Sequence, residues 1–239
     1  MNTAVKKSDD NKKVSAVIVA AGSSSRMHGI DKQLLDIGGM PVIARAVSAF
    51  QKSEIISEIV IVTREDLIVK INDLVSKYGF NKVTAVVNGA DTRQKSVFNG
   101  ISATSETCEY VAIHDGARPF VTQDIIKNTV AAAIKYGAAS AAQTAKDTVK
   151  IAENNGKIIK TVDRDTVRLM QTPQVFEKKT YLSAMKSVKN SELFTDDCML
   201  MERFGQPVFT VESSPLNLKI TTREDIVFAE AIIRSLEND

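Results

Sequence analysis

The chain has 239 residues, of which 44% are hydrophobic and 25% charged, and its formal net charge is +2. That is the make-up of an average soluble globular protein, able to bury a proper core as one α/β domain or two small ones. A balance so near neutral, without a dominant basic stripe, argues against a general nucleic-acid binder, and no apolar run approaches membrane-spanning length. Cys108 and Cys198 lie far apart, with no C-x-x-C and no histidine nearby in sequence. They argue against a disulfide scaffold or a zinc site and fit a reducing cytoplasm.

Met1 to Lys13 is polar and lysine-rich, lacks the apolar core of a secretory signal, and reads as a flexible tail. The first strong signal is Val17-Ile-Val-Ala-Ala21, an unbroken apolar run that ends in a small-residue loop, Gly22 to Ser25. Such a run before a glycine turn reads as a parallel strand buried on both faces. Beyond it no bulky side chain keeps a ligand away, so loop N–H groups are free to cradle a phosphate. Arg26 and Lys32 follow within a few residues. The loop fits neither the P-loop nor the dinucleotide fingerprint. Two cations beside it suit a nucleoside triphosphate, where Gly-Ser alone would be an ordinary strand-to-helix turn.

Gly38 to Pro41 then forms a turn, and Val42, Ile43, Ala46, Val47 and Phe50 recur at helical spacing. Ile59–Val62 predicts a second strand, and Glu65–Tyr78 a helix stopped by Gly79. Val83–Val87 predicts a third strand, running into Asn88-Gly-Ala-Asp-Thr-Arg93 and a helix through Ser96, Val97 and Ile101. Tyr110–Ile113 predicts a fourth, ending at His114-Asp-Gly-Ala-Arg-Pro119, and a helix spans Gln123–Tyr136 before Gly137. Four successive βα units predict a doubly wound, mostly parallel sheet, with ligands beyond the carboxyl ends of its strands. The polar clusters after strands one, three and four all fall at that edge.

The rhythm then breaks. Ala138–Ala142 predicts another strand, and Gln143 to Gln174 reads as a protruding β-arm, with Asp147–Ile151 and Lys157–Val162 flanking a turn at Glu153–Gly156. Helices over Lys178–Val188 and Thr195–Phe204, a strand over Val208–Val211 and a helix over Glu224–Leu236 complete the chain. Without repeats or linkers, residues 14–239 count as one domain carrying the arm.

At the predicted site edge, Asp115 and Arg118 allow two readings. One is a local ion pair holding the turn; the other is a carboxylate turned towards sugar hydroxyls or a metal–phosphate complex, which would suit Mg²⁺. Strand alternation turns His114 away from Asp115, so His114 is structural, and His28 has no partner in sight. Asp91 and Ser96 could read a base or ribose, or cap the helix that follows. Lys219, between Leu218 and Ile220, faces away from the core. No arrangement suggests a covalent nucleophile. Cations with one or two acids suggest positioning and electrostatic stabilisation of a phosphoryl centre.

These motifs, Ala20-Ala-Gly-Ser-Ser-Ser-Arg-Met27 with Lys32-Gln33, Asp115-Gly-Ala-Arg-Pro119, Thr161-Val-Asp-Arg164, Gln171-Thr-Pro-Gln174, Thr195-Asp-Asp197 and Asn217-Leu-Lys-Ile-Thr221, occur in this order. Together they resemble the 2-C-methyl-D-erythritol 4-phosphate cytidylyltransferase family from about Val14 to the end. The resemblance implies an α/β nucleotidyltransferase sheet, CTP and a polyol phosphate as substrates, Mg²⁺, and a homodimer built through the arm. It implies that Arg26 and Lys32 stabilise charge developing on the α-phosphate, and that Arg164 and Lys219 hold the substrate phosphate. Ala20, Ala21, Gly22, Ala90, Asp91 and Ser96 would surround the nucleotide, and Asp115, Arg118, Thr148, Thr172 and Thr195 the methylerythritol moiety. Asp115 would be the candidate metal ligand. The chain departs at Gly116, where the family usually has Ala, and at Ala90, where it often has Gly. The related ribitol-5-phosphate cytidylyltransferase and a silent nucleotide-binding regulator are the alternatives. Ala117 favours methylerythritol over ribitol, and the pair Arg26 and Lys32 argues against a silent protein.

Overall fold

A computed structural model describes residues 12–22, 31–188 and 194–237. Its centre is the apolar run read above: β1 (Val14–Ala20), which pairs in parallel with β4 (Ile56–Thr63) on one side and β6 (Tyr110–Asp115) on the other. Side chains of β1 alternate between two cores. Ala16 and Ile18 face one with α1 (Val42–Lys52), α2 (Ile68–Tyr78) and α4 (Gln123–Tyr136), while Val17 faces the other with α3 (Arg93–Ser102). That is why the run is apolar at every position rather than every second one.

The remaining strands of the main sheet are β5 (Val83–Asn88), β7 (Ala138–Thr144), β10 (Arg168–Glu177) and β11 (Phe209–Glu212). The seven lie in the order β11-β7-β10-β6-β1-β4-β5. From β1 the chain winds outward through β4 to β5, then returns to place β6 on the other side of β1. The order therefore reverses between β1 and β6, where an open α/β sheet forms a crevice at its carboxyl edge. Two short strands, β2 (Asp36–Ile37) and β3 (Met40–Pro41), form a hairpin through Gly38 and Gly39, both at positive φ. Helices α5 (Lys178–Ser187), α6 (Asp197–Phe204) and α7 (Glu224–Glu237) complete the layers. Asp196 caps α6, its carboxylate accepting from the Met199 N–H at 2.9 Å.

The sequence reading missed β10. This strand runs antiparallel to both neighbours, β6 and β7, so the ends of the stretch read as an arm, Gln143 to Gln174, lie within the central sheet. Pro173 concealed it, because a proline argues against a central strand. Here Pro173 falls in the register break between Met170 and Gln174, where the ladder asks no N–H of it. Only β8 (Val149–Ala152) and β9 (Ile158–Val162) stand apart, as a two-stranded antiparallel sheet turned at Gly156. Ile158 and Ile159 are 60% and 58% exposed on it.

Helix α3 lies very close to the sheet because Gly100 has no side chain. A Cβ there would stand 2.5 Å from Val17 Cγ1 and 2.6 Å from Val62 Cγ2. Gly100→Ala is expected to destabilise the protein by about 1–3 kcal/mol, the usual cost of overpacking. Urea unfolding checks this, and an unchanged midpoint would show that α3 can move off the sheet freely.

Candidate active site

Three strand ends build one cleft. Val19 comes from β1 and Ala21 and Gly22 follow it, Ala90 to Thr92 come from the loop after β5 and Arg93 from the first turn of α3, and Asp115 and Ala117 from the end of β6 and just beyond. Lys32, Gln33, Ser96 and Lys219 complete a cavity of about 410 Å³. The β5 loop sits hard on β1: Gly89 N–H donates to the Thr63 carbonyl at 2.7 Å, and a Cβ on Gly89 would collide with Ala21 Cβ. Ser96 Oγ accepts from Ala90 N–H and donates to the Thr92 carbonyl, both at 2.9 Å, and so shapes this loop from behind. On the other flank Arg64, at the end of β4, donates to the Gly22 carbonyl at 3.3 Å and pairs with Asp31 at 2.6 Å. One guanidinium thus bonds to both Gly22 and Asp31.

The floor is Asp115. Its Oδ2 lies 2.9 Å from Lys219 Nζ and 3.5 Å from Arg118 Nε. Burial drives this carboxyl's pKa up, but Lys219, then Arg93 and Arg118, overcome it and hold the group ionised well below the usual carboxylate range. Arg118 also donates to the Asn217 carbonyl at 2.7 Å, and Ile220 N–H to the Ala117 carbonyl at 2.9 Å. These bonds dock the segment carrying Lys219. Gly116 lies against the end of β1, where a Cβ would stand 3.1 Å from both Ala20 Cβ and Gln33 Oε1.

Behind Asp115, Thr172 of β10 accepts the Asp115 N–H at 3.1 Å and donates to His114 Nδ1 at 3.0 Å. The other ring nitrogen, Nε2–H, then donates to the Arg118 carbonyl at 3.1 Å. His114 is fully buried, as alternation implied, and burial above all pushes its pKa down to about 4. A second cavity of about 160 Å³ opens beside the first, with Thr172, Gln174, Thr195 and Arg118 on its walls. The two cavities share Arg93, Asp115 and Lys219. Among the described residues, no group of three or more His, Cys, Asp or Glu is placed to hold a metal ion. The cavity walls thus offer Mg²⁺ separate carboxylates, Asp91, Asp115 and Asp196, rather than a cluster. That fits an ion carried mainly by substrate phosphates and water rather than caged by protein.

The 2-C-methyl-D-erythritol 4-phosphate cytidylyltransferase family model matches residues 14–235. The chain belongs to this family. It is similar to the cytidylyltransferase of that name from Caldanaerobacter subterraneus, at 45% identity, covering 92% of this chain and 99% of that one. The enzyme of the same name from Clostridium botulinum is 43% identical, over 94% of this chain and 99% of its own. The crystal structure of 4-diphosphocytidyl-2C-methyl-D-erythritol synthase from Anaerococcus prevotii superposes with a TM-score of 0.85 at 35% identity, covering 95% and 98% of the two chains. No helix among the described residues is long and apolar enough to cross a membrane.

For a member of this cytidylyltransferase family, most of the expected residues come together. Ala21, Gly22, Lys32, Ala90, Asp91, Ser96, Asp115 and Lys219 line the first cavity, and Arg118, Thr172 and Thr195 the second. Ala20 is buried behind the cleft, and Asp91 is exposed and paired with Lys95 at 3.1 Å. Arg26 lies outside the described residues. Thr148 and Arg164 line neither cavity in this chain; both are exposed, and Arg164 donates to the Lys146 carbonyl at 2.9 Å. The sequence reading did not assign Arg93 to the site. Its signal was in view, a cation one turn before Ser96 at a strand end, but its partner Asp197 lies 104 residues away.

His114 stays neutral in the fold, while in the unfolded chain it takes a proton below about pH 6.5. Its burial is thus harmless above that pH and costs stability progressively as pH falls towards 4, by up to ~3 kcal/mol. Urea midpoints measured from pH 7.5 to 4.5 should fall more steeply for the wild type than for His114→Gln. Parallel curves would place the acid sensitivity elsewhere.

Proposed function

We propose that this chain transfers the cytidylyl group of CTP to 2-C-methyl-D-erythritol 4-phosphate, releasing pyrophosphate and forming 4-diphosphocytidyl-2-C-methyl-D-erythritol for the non-mevalonate isoprenoid route. The observation that carries this reading is the pair of cavities sharing one charged wall, Arg93, Asp115 and Lys219. CTP occupies the larger cavity, with its base against Ala21, Ala90 and the loop that Ser96 holds, and its phosphates beside Lys32. The polyol phosphate occupies the smaller one, its hydroxyls near Asp115, Thr172 and Thr195. Its phosphate oxygen attacks the α-phosphorus in line as pyrophosphate leaves the opposite side. That nucleophile is already an anion, its second pKa being near 6, so no general base is required. An ionised Asp115 suits this: it keeps Lys219 at the seam rather than moving protons. Mg²⁺ accompanying the triphosphate, which Asp115 would help to hold, would neutralise charge on the phosphates.

The hairpin β8–β9 supports a homodimer. An isolated two-stranded hairpin is marginal in water, and this one leaves Ile151, Ile158 and Ile159 exposed. It also carries Thr148 and Arg164 away from the cavities of its own chain, so these two serve the partner's site, reciprocally under two-fold symmetry. Two buried free thiols fit a reducing cytoplasm.

Pyrophosphate release tests the reaction directly. It should require CTP with methylerythritol phosphate and be weak with ribitol 5-phosphate or with UTP. Release with ribitol 5-phosphate alone would overturn the choice of substrate. Sharing of sites has its own test, because Lys32→Ala should lower kcat by ~10²–10³ on the loss of a transition-state donor, and Arg164→Ala should also be nearly inactive. Mixed under subunit exchange, the two should recover about a quarter of wild-type sites, since random pairing makes roughly half the dimers mixed with one intact site each. Flat activity, with exchange verified, would place Arg164 in its own chain's site.

A further inference from the structure

Of the two described cations on the shared wall, Lys219 pairs directly with Asp115 and Arg93 does not. Its Nη1 lies 2.5 Å from Asp197 Oδ2, and its side chain is 27% exposed while that of Asp197 is only 1% exposed. Asp197 is in turn held from two further directions. Its Oδ1 accepts from the hydroxyl of Tyr181 at 2.6 Å, and Tyr181 is wholly buried. Its N–H donates to Gln174 Oε1 at 3.0 Å, and Gln174 in turn donates to Asp196 at 3.0 Å. Residues of α5, α6 and β10 thus converge to fix a guanidinium that belongs to α3. One nitrogen of Arg93 is committed to Asp197, its planar fork has further N–H donors, and the residue lines both cavities.

Two anions must meet at that wall if the proposed reaction is right, the α-phosphate of the nucleotide and the incoming phosphate monoester. Their repulsion opposes the approach, and only a cation at the junction touches both. A guanidinium can bond two separate oxygens with fixed geometry, which the ammonium of lysine cannot do as well. We infer that Arg93 bridges the two phosphates in the transition state, and that Tyr181, acting through Asp197, is the positioning residue that aims it. This inference rests on the function proposed above.

The experiment is a double-mutant cycle on the full-length enzyme, read by pyrophosphate release and by calorimetric binding of CTP alone. Arg93→Ala should lower kcat by ~10²-fold, as expected for one lost transition-state donor, and change CTP binding by no more than about threefold. Arg93→Lys should recover less than a tenth of the lost rate, since charge without the fork is not enough. Tyr181→Phe should lower kcat by roughly five- to tenfold in the wild type and cause no further loss in the Arg93→Ala background, the non-additivity that marks action through a shared partner. An equal loss in both backgrounds would make Tyr181 a packing residue and overturn the relay. An Arg93→Ala kcat within threefold of wild type, or full recovery in Arg93→Lys, would overturn the bridging role. If Tyr181→Phe does not fold, the two variants at partly exposed Arg93 decide the bridging role and Asp197→Asn, read in the wild-type and Arg93→Ala backgrounds, decides the relay, an equal loss in both overturning it. Wild-type enzyme that releases pyrophosphate with another polyol phosphate would refute the substrate and leave the cycle to be read with that compound. Wild-type enzyme that releases none with any would overturn both readings.

Discussion

Asp115 is a carboxylate held almost out of water, and three cations from three separate parts of the chain surround it. Arg118 follows it in the same turn, Arg93 comes from α3, and Lys219 from the segment before α7. Burying an unpaired charge is so unfavourable that the group would otherwise neutralise itself. Pairing therefore does more than lower a pKa: it requires three distant segments to arrive at one point. With Arg93 anchored on Asp197, the donors around Asp115 are set before any anion enters. Such preorganisation makes electrostatic stabilisation effective, because little reorientation remains for the moment of reaction.

The antiparallel strand β10 completes this arrangement. A parallel strand beside β6 would need a crossover and would bring its carboxyl end to the site edge. Running the other way, β10 enters there with Gln171 and Thr172 and leaves through Val175 and Phe176, in the core. Its register break frees Thr172 to support the Asp115 backbone, while Gln171 accepts from Asn217 at 3.0 Å and from Ser213 at 2.7 Å. The interruption in the ladder is where the sheet acquires a polar wall.

The parallel half of the fold was legible because it follows from local patterns. An unbroken apolar strand, a glycine turn and a helical period recur four times, and the carboxyl-edge rule then places Lys32, Ala90 and Asp115 together. What escaped depends on pairing at long range. β10 looks like loop until its neighbours are known, because its polar residues face a cavity rather than solvent. Asp197 reads as part of a cap until Arg93 is seen against it. Ser96 was legible as a polar group near the base, but its hydroxyl is engaged with the loop backbone, a matter of angles that spacing does not encode. Arg164 shows the limit from the other side, since no pattern within one chain says which copy of a site a residue serves.

Gly116 bears on how such a sequence can change. Its missing Cβ lies within the same small volume as Ala20 Cβ and the Gln33 side chain, each 3.1 Å from where a methyl would be. Three positions far apart in the chain therefore share one allowance of space, and a methyl added at 116 must be accommodated by movement at 20 or 33. A substitution neutral in a relative with alanine at 116 need not be neutral here. The order in which these positions mutate would then decide which evolutionary paths stay open, a historical contingency set by a few tenths of an ångström.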